Sequence, residues 1–411
     1  MDSSFSVVQN SFQRGQLRWG GTTVRSESGR QLSLSASGRA TLETILAGKP
    51  AIVRSLDEAA LVQMMEFYLL DRGHLSPVID YAALMDEGKA FVCPREVSIE
   101  ITKLCNLHCL HCYNDSGHRH PQELSDEEKL ELIRYLGRWG VRRVSLTGGE
   151  PVLDSSLGGL LALAGEYKIA VKITTNGWKV PNELLRAIEA GTIVDVNVSL
   201  DGADEPTHDT FRARQGSYER VLRAMHTFAE YRPRRLQLNA SIHAISVHQM
   251  AALAELALKY RFDSISYKPV TSSGRPDQRV DFLLSLENLQ LYQRERARLA
   301  AHYAGRLHVE GNILGGSVPA EALDRINCNA AERSMLILAN GKMTPCAALN
   351  ADSQAPDVRT MTPMEAWLTH PLFQDFRSMK RAEGNSHVGC PGSRFSNANS
   401  SQAIPGLRIL Q

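Results

Sequence analysis

Residues 96–112 read EVSIEITKLCNLHCLHC. An apolar, strand-like run, EVSIEIT, is followed at once by Cys105, Cys109 and Cys112. Further runs of the same kind occur at 142–147 (RRVSLT), 169–174 (IAVKIT), 193–200 (IVDVNVSL), 235–243 (RLQLNASIH) and 263–270 (DSISYKPV). Helical periodicity fills the gaps, as in Asp126 to Trp139 and Tyr218 to Tyr231. Repeated β-then-α units predict an α/β fold with a parallel sheet and right-handed crossovers. Six units predict an open, partial (β/α)6 barrel rather than a closed eightfold one. Chemistry in such folds collects at the C-terminal ends of the strands, which is where the three cysteines fall.

The whole chain has 411 residues, room for two or three domains. Hydrophobic residues make up 43% and charged residues 22%, the balance of a globule with a sizeable core rather than a disordered chain. A formal net charge of +1 gives no electrostatic footprint for nucleic acid or an anionic membrane, so neither is expected as a partner. No run of about 18 uncharged apolar residues is present, so no transmembrane helix is expected. The start, MDSSFSVVQNSFQRG, lacks the apolar core of a secretory signal. A cytoplasmic location follows as the expectation, and there seven cysteines favour metal ligation or buried thiols over disulfides.

Three regions are expected: 1–92, 93–305 and 306–411. In the first, Leu17 to Arg25 and Gln31 to Ser35 flank the turn-rich SESG and read as a β-hairpin. Helices are expected at Ser35 to Leu46 and about Leu56 to Asp71, each behind a serine cap. The result is a small α+β, winged-helix-like domain. The third region follows a charged helix at about 285–304. There RSMLILANGKMT (333–344) places Asn340-Gly341 between apolar arms, which predicts a type I′ hairpin. Cys328 and Cys346 bracket this hairpin, so its closure would bring their thiols together.

Three thiolates within eight residues can grip one soft metal site. Structural zinc takes four tetrahedral ligands, and His108 or His111 would have to complete the set. A [4Fe–4S] cube normally has four thiolates, so three leave one iron open for a chelating molecule. Unliganded cysteines on a loop are the remaining alternative.

Cys-x3-Cys-x2-Cys after the first strand of a βα barrel resembles the radical SAM superfamily. The resemblance implies a [4Fe–4S] cluster on Cys105, Cys109 and Cys112. Its open iron would be chelated by S-adenosylmethionine (SAM), which one electron cleaves to methionine and a hydrogen-abstracting 5′-deoxyadenosyl radical. An external donor of the flavodoxin or ferredoxin type would supply the electron. Further segments match in order. Thr147-Gly148-Gly149-Glu150-Pro151 resembles the GGE motif, with two glycines permitting close backbone approach and Glu150 accepting from the methionine ammonium. Thr174-Thr175-Asn176-Gly177 and Ser199-Leu200-Asp201-Gly202 resemble the TNG and SLDG segments, which makes Thr174 and Asn176 cofactor-binding candidates. Ser199 would contact the ribose, and Arg212 would pair with the methionine carboxylate. Asn239 and Ser241 alternate onto one face of the fifth strand and could reach the ribose hydroxyls.

Cys328, Gly341 and Cys346 resemble the opening of a SPASM/twitch extension, which carries auxiliary clusters. The dense cysteine run of the full pattern is missing, leaving only Cys390 in VGCPGSRF, with Ser393 where a partner cysteine would stand. One auxiliary cluster on Cys328, Cys346 and Cys390 is expected, with structural thiols as the alternative. Cys93 lies before the first strand, hence at the far end of the barrel from Cys105, and is expected to be a buried thiol. Residues 1–92 resemble PqqD-like domains, which bind a leader peptide along a strand edge by β-augmentation. Together these resemblances imply a maturase of a ribosomally made precursor peptide, installing a cross-link, epimerisation or oxidation. The alternatives are a small-molecule dehydrogenase or cyclase and a non-catalytic iron–sulfur sensor.

Overall fold

The computed structural model describes residues 93–270, 274–275, 282–312, 328–349 and 354–383, the short pieces 325–326, 387–388, 390–392 and 395, and five strands before residue 93. Those five are β1 (Leu17–Gly20), β2 (Thr23–Ser26), β3 (Gln31–Ser33), β4 (Ile52–Val53) and β5 (Val78–Ile79). β1, β2 and β3 form an antiparallel sheet in that order, so the stretch Leu17 to Arg25 is two strands rather than one hairpin arm. β4 pairs with β5 in parallel. The helices expected at Ser35 to Leu46 and Leu56 to Asp71 lie outside the described residues.

The six barrel strands form where the strand-like runs lie. They are β6 (Glu96–Thr102), β7 (Arg143–Gly148), β8 (Ala170–Thr175), β9 (Ile193–Ser199), β10 (Arg235–Ile242) and β11 (Ser264–Pro269). All pair in parallel and in sequence order. Between them run α1 (Asp126–Trp139), α2 (Leu157–Glu166), α3 (Asn182–Glu189), α4 (Glu205–Arg212), α5 (Ser217–Tyr231) and α6 (Met250–Lys259), followed after β11 by α7 (Leu286–His302). Local chemistry sets their ends. Ser125 and Glu128 form a reciprocal capping box on α1, and Gly140 ends it at φ 95°.

Each strand has two chemically different faces. Val97, Ile99, Val144, Leu146, Val171, Ile173, Val196, Val198, Leu236 and Leu238 are all buried in one core with the helices. Their strand neighbours, including Glu96, Glu100, Lys172, Asp195, Asn239 and Lys268, alternate onto the other, polar face. The helices therefore cover one side, and the concave side is left for polar contacts and ligands.

The sheet does not stop at six strands. β12 (His308–Gly311) adds in parallel to β11, and β14 (Ser334–Ile337) adds in parallel to the outer edge of β6. β14 then pairs with β15 (Met343–Thr344). The C-terminal hairpin thus continues the barrel sheet on the strand that feeds the cysteine loop. Its turn differs from the type I′ expectation: Gly341 has φ 85°, and Asn340 is absent from the positive-φ residues. Gly341 N donates to Leu338 O at 2.9 Å and Leu338 N to Lys342 O at 2.8 Å, a three-residue connection with glycine as the left-handed residue. The C-terminal elements described are α8 (Pro363–Thr369), α9 (Pro371–Glu383) and the pair β13 (Arg325–Ile326) with β16 (His387–Val388). Cys93 is buried in the main core, as expected. No helix of the described residues is long and apolar enough to cross a membrane.

Candidate active site

The loop from Lys103 to Gly117 leaves β6 at its C-terminal end and returns to its own start. Cys105 N donates to Gly117 O at 3.3 Å, and Gly117 N to Lys103 O at 3.0 Å. Cys109 is buried, while Cys105 and Cys112 are half-buried. An N–H donor addresses each sulfur: Ser116 N at 3.3 Å from Cys112 Sγ, Arg212 Nη1 at 3.6 Å from Cys109 Sγ and Asn176 Nδ2 at 4.0 Å from Cys105 Sγ. Such donors suit anionic sulfurs and tune the potential of an iron–sulfur cluster. Burial pushes the Cys105 thiol up to about 11 and also raises Cys109, against which Arg212 acts. These thiols stay protonated at neutral pH without metal, so ligation displaces protons.

Among the described residues, no three His, Cys, Asp or Glu side chains converge on one metal ion. A four-iron cube does not ask for that convergence, because each thiolate binds a different iron. The zinc alternative fares worse, because His111 is engaged elsewhere. His111 stacks on Phe211 with ring centroids 4.4 Å apart, and its Nε2 lies 3.5 Å from Asp201 Oδ2.

The two glycines of GGEP serve the loop itself. A β-carbon on Gly148 would sit 2.2 Å from Thr102 O, and one on Gly149 2.2 Å from Leu104 O. Gly149 N and Glu150 N donate to those same carbonyls at 2.7 and 2.8 Å. The close approach expected toward a ligand is here an approach of β7's end to the backbone carrying Cys105. Gly149→Ala is therefore expected to displace that backbone and lower the iron content of reconstituted protein. Wild-type iron content with an unchanged melting temperature would show that the loop tolerates the shift.

Glu150 is buried, and its carboxylate ties two strand ends together. Oε1 accepts from Thr175 Oγ1 at 2.7 Å and Oε2 from Asn176 N at 2.7 Å. Burial pushes its pKa up to about 7, opposed by those donors. Asn176 in turn reaches the cysteine loop, donating to Asn106 Oδ1 at 3.0 Å. Thr174, Ser199, Asn239 and Ser241 are half-buried on the polar face, and Ser199 and Asn239 are cross-strand partners.

Arg212 does not sit with an open fork. Its Nε lies 2.6 Å from Asp201 Oδ2, and both side chains are buried. Ser241 N donates to Asp201 Oδ1 at 2.8 Å. Burial pushes Asp201 up, but Arg212, His111 and His208 outweigh it and hold the carboxyl at about 2. Asp201 is thus the central anion of the site, a role that its place in the SLDG-like segment did not assign. Arg275 was missed as well. It clasps the cysteine loop: Nη1 donates to Cys109 O at 2.6 Å, Nη2 to Ser116 O, and Nε pairs with Asp115 Oδ1 at 2.7 Å. The available signal was its place in SSGRP just after the last barrel strand.

Residues 99–257 match the Radical SAM superfamily. Over that stretch the chain is similar to radical SAM domains. Mycofactocin maturase MftC of Mycolicibacterium smegmatis is 34% identical over 161 residues, 39% of this chain and 41% of the relative. The chain thus spans about two fifths of the length of that relative. The AdoMet-dependent heme synthase of Methanosarcina barkeri is 24% identical over 313 residues, 72% of this chain and 88% of the relative. Streptococcus suis SuiB bound to S-adenosylmethionine shares the fold, with a TM-score of 0.59 and 17% identity over 90% of each chain. SuiB has also been solved bound to the precursor peptide SuiA. The superfamily's cofactors are a [4Fe–4S] cluster and SAM.

Outside the radical SAM domain, the C-terminal thiols gather. A β-carbon on Gly392 would lie 2.7 Å from Cys346 Sγ and 3.6 Å from Cys390 Sγ. Burial pushes Cys346 up to about 12, with Cys390 and Cys328 adding like charge, and burial also raises Cys328. Lys380 Nζ donates to Cys328 O at 2.6 Å and Ala330 O at 3.0 Å, which places a buried cation beside these thiols.

Proposed function

We propose that this chain is a cytoplasmic radical SAM maturase of a ribosomally made precursor peptide. The single observation carrying the reading is the antiparallel sheet β1–β2–β3 ahead of the barrel. An outer strand of such a sheet can accept an extended peptide by main-chain pairing. The likeness to MftC, and the SuiB fold seen with its peptide, support the same substrate class. In this reading 1–92 is the leader-binding domain, 93–305 the barrel domain and 306–411 the extension.

Cys105, Cys109 and Cys112 would hold the cluster, with Arg275 and the Gly148–Gly149 backbone fixing their loop. When bound, the cluster and SAM supply an electron and a carbon radical that takes hydrogen from an unactivated carbon; the electron comes from a flavodoxin- or ferredoxin-type donor. Glu150 would accept from the methionine ammonium, held in place by Thr175 and Asn176. Arg212, with five donors and only part of them used by Asp201, would take the methionine carboxylate as a second acceptor. Thr174, Ser199, Asn239 and Ser241 would meet the rest of SAM along the polar face. Cys328, Cys346 and Cys390 would hold one auxiliary cluster.

Two outcomes check this reading. Glu150→Gln keeps the carboxylate's shape but not its charge. It should weaken SAM binding roughly 10- to 150-fold, the loss of ~1.5–3 kcal/mol from one charge-assisted hydrogen bond. Wild-type affinity should also rise with pH through about 7, because the ammonium favours ionised Glu150; the glutamine variant should be flat. Equal affinities at every pH would leave Glu150 a purely structural tie.

The second outcome separates peptide from small-molecule substrates. Deleting residues 1–92 should abolish modification of the precursor while sparing uncoupled SAM cleavage, since every SAM-site residue named lies after Cys93. Leader binding raises the local concentration of the core segment to the order of mM, and the deletion removes that gain. An intact, cluster-loaded truncation that modifies its substrate at the wild-type rate would overturn the peptide reading. The small-molecule alternative would then lead, supported by the match along 88% of the heme synthase.

A further inference from the structure

Two sulfurs of the cysteine loop each face an asparagine, but not the same end of it. At Cys105 the asparagine offers nitrogen, Asn176 Nδ2 at 4.0 Å. At Cys112 it offers oxygen: Asn114 Oδ1 lies 3.5 Å from Cys112 Sγ, and the metal-free thiol donates to it. Asn114 is buried, so its amide does not exchange partners with bulk water.

A carboxyl on β6 decides which way that amide faces. Val97, Ile99 and Ile101 lie in the helix-covered core, so Glu100 stands on the opposite, concave face, where it too is buried. Asn114 Nδ2 donates to Glu100 Oε1 at 3.2 Å, and Tyr113 Oη donates to the same oxygen at 3.3 Å. The backbone N–H of Ala339, between β14 and β15, also donates to this carboxyl. With three donors around it, Glu100 acts as an acceptor, and an acceptor takes the nitrogen end of an amide and turns its oxygen away. The rest of the loop holds the oxygen end. Ser116 Oγ donates to Asn114 Oδ1, while Ser116 N donates to Cys112 Sγ at 3.3 Å. Lys103 Nζ fixes the backbone by donating to Asn114 O at 2.5 Å.

We propose that Glu100 is a positioning residue that keeps the oxygen of Asn114, rather than its N–H, on Cys112 and so holds the cluster's reduction potential low. The proposal rests on the placement of the cluster on Cys105, Cys109 and Cys112. Ligation removes the thiol proton, which leaves the sulfur an acceptor with a carbonyl dipole beside it. An N–H donated to a ligating sulfur draws off negative charge and raises the potential, and a carbonyl oxygen in the same place does the reverse. A low potential suits the chemistry, because a sulfonium is a poor electron acceptor. Glu100 acts on the cluster only through Asn114, which gives the two residues a joint signature.

The experiment uses the full chain, reconstituted anaerobically and titrated with reductant while its EPR spectrum is recorded. The signal that changes on adding SAM belongs to the cluster with the open iron, so any other cluster is told apart. Asn114→Leu removes the amide and should move this cluster to a higher midpoint potential, because an oxygen leaves the sulfur. No shift, or a shift to lower potential, would overturn the proposal, the latter because a nitrogen must then have faced Cys112. Glu100→Met keeps the side chain's length without an acceptor and frees Asn114 to turn its N–H to the sulfur. It should raise the potential further than Asn114→Leu does, and the double variant should match Asn114→Leu alone. A loaded Glu100→Met chain with the wild-type potential, or an upward shift that persists in full on the Asn114→Leu background, would leave Glu100 a structural tie and overturn the proposal. Should Glu100→Met take up no cluster, the sign of the Asn114→Leu shift decides. A wild-type chain with no SAM-responsive signal would overturn the cluster placement itself and this proposal with it, whereas a wrong sign in a loaded chain overturns this proposal alone.

Discussion

Alanine at Cys105, Cys109 and Cys112 together is expected to bring 5′-deoxyadenosine formation to background. About eight irons per reconstituted wild-type chain should fall to about four, and alanine at Cys328, Cys346 and Cys390 should remove the other four, by the cube stoichiometry. The two losses are expected to be independent, because the two thiol groups sit on different loops. The first lies between β6 and α1. The second is assembled from the start of β14's segment, the end of β15 and the chain near Gly392. Undiminished SAM cleavage in the first variant would end the radical mechanism. About four irons in both wild type and the second variant would make the C-terminal thiols structural.

Asp201→Asn is expected to be the most destabilising single change at the site. It removes the charge that compensates buried Arg212, at 2.6 Å, and breaking one side of a buried pair costs about 3–5 kcal/mol. The acid limb of the stability profile should change as well. The folded Asp201 carboxyl sits at about 2, below the ~3.9 of an unfolded aspartate, so its contribution is fully present above the unfolded value. It is lost as pH falls toward about 2. Wild type should therefore lose stability across that window, and the variant should start lower and fall less. Melting temperature against pH measures both. An unchanged melting temperature at neutral pH would mean that Arg212 finds another anion once Asp201 is neutral.

The barrel was legible because its signals are local. Strand-like runs such as IAVKIT and RLQLNASI and capped helices such as Asp126–Trp139 carry their own periodicity, and the observed strands lie within a residue or two of the expected ones. The turn at Gly341 was less legible. Asn-Gly favours two positive φ values, but pairing of β14 with β6 fixes that arm, and one left-handed glycine closes the loop. Two-strand splitting of Leu17 to Arg25 was missed for a similar reason: β1 and β2 pair with each other, Gly20 opposite Thr23, while the alternation on either side stays intact.

The amino-acid sequence by itself determined the order of β and α units, the place of the three cysteines at a strand end, and the series GGEP, TNG and SLDG at the next strand ends. Each is a property of a few consecutive residues, and periodicity or spacing exposes it directly. Only the tertiary structure decided what those segments touch. It turned Gly148 and Gly149 toward the cysteine loop, gave Arg212 to Asp201, and brought Arg275 back to Cys109 across 166 positions. These contacts depend on how far the sheet curves and where the chain after β11 returns. They join residues far apart in the chain, so no local pattern of charge or hydropathy encodes them.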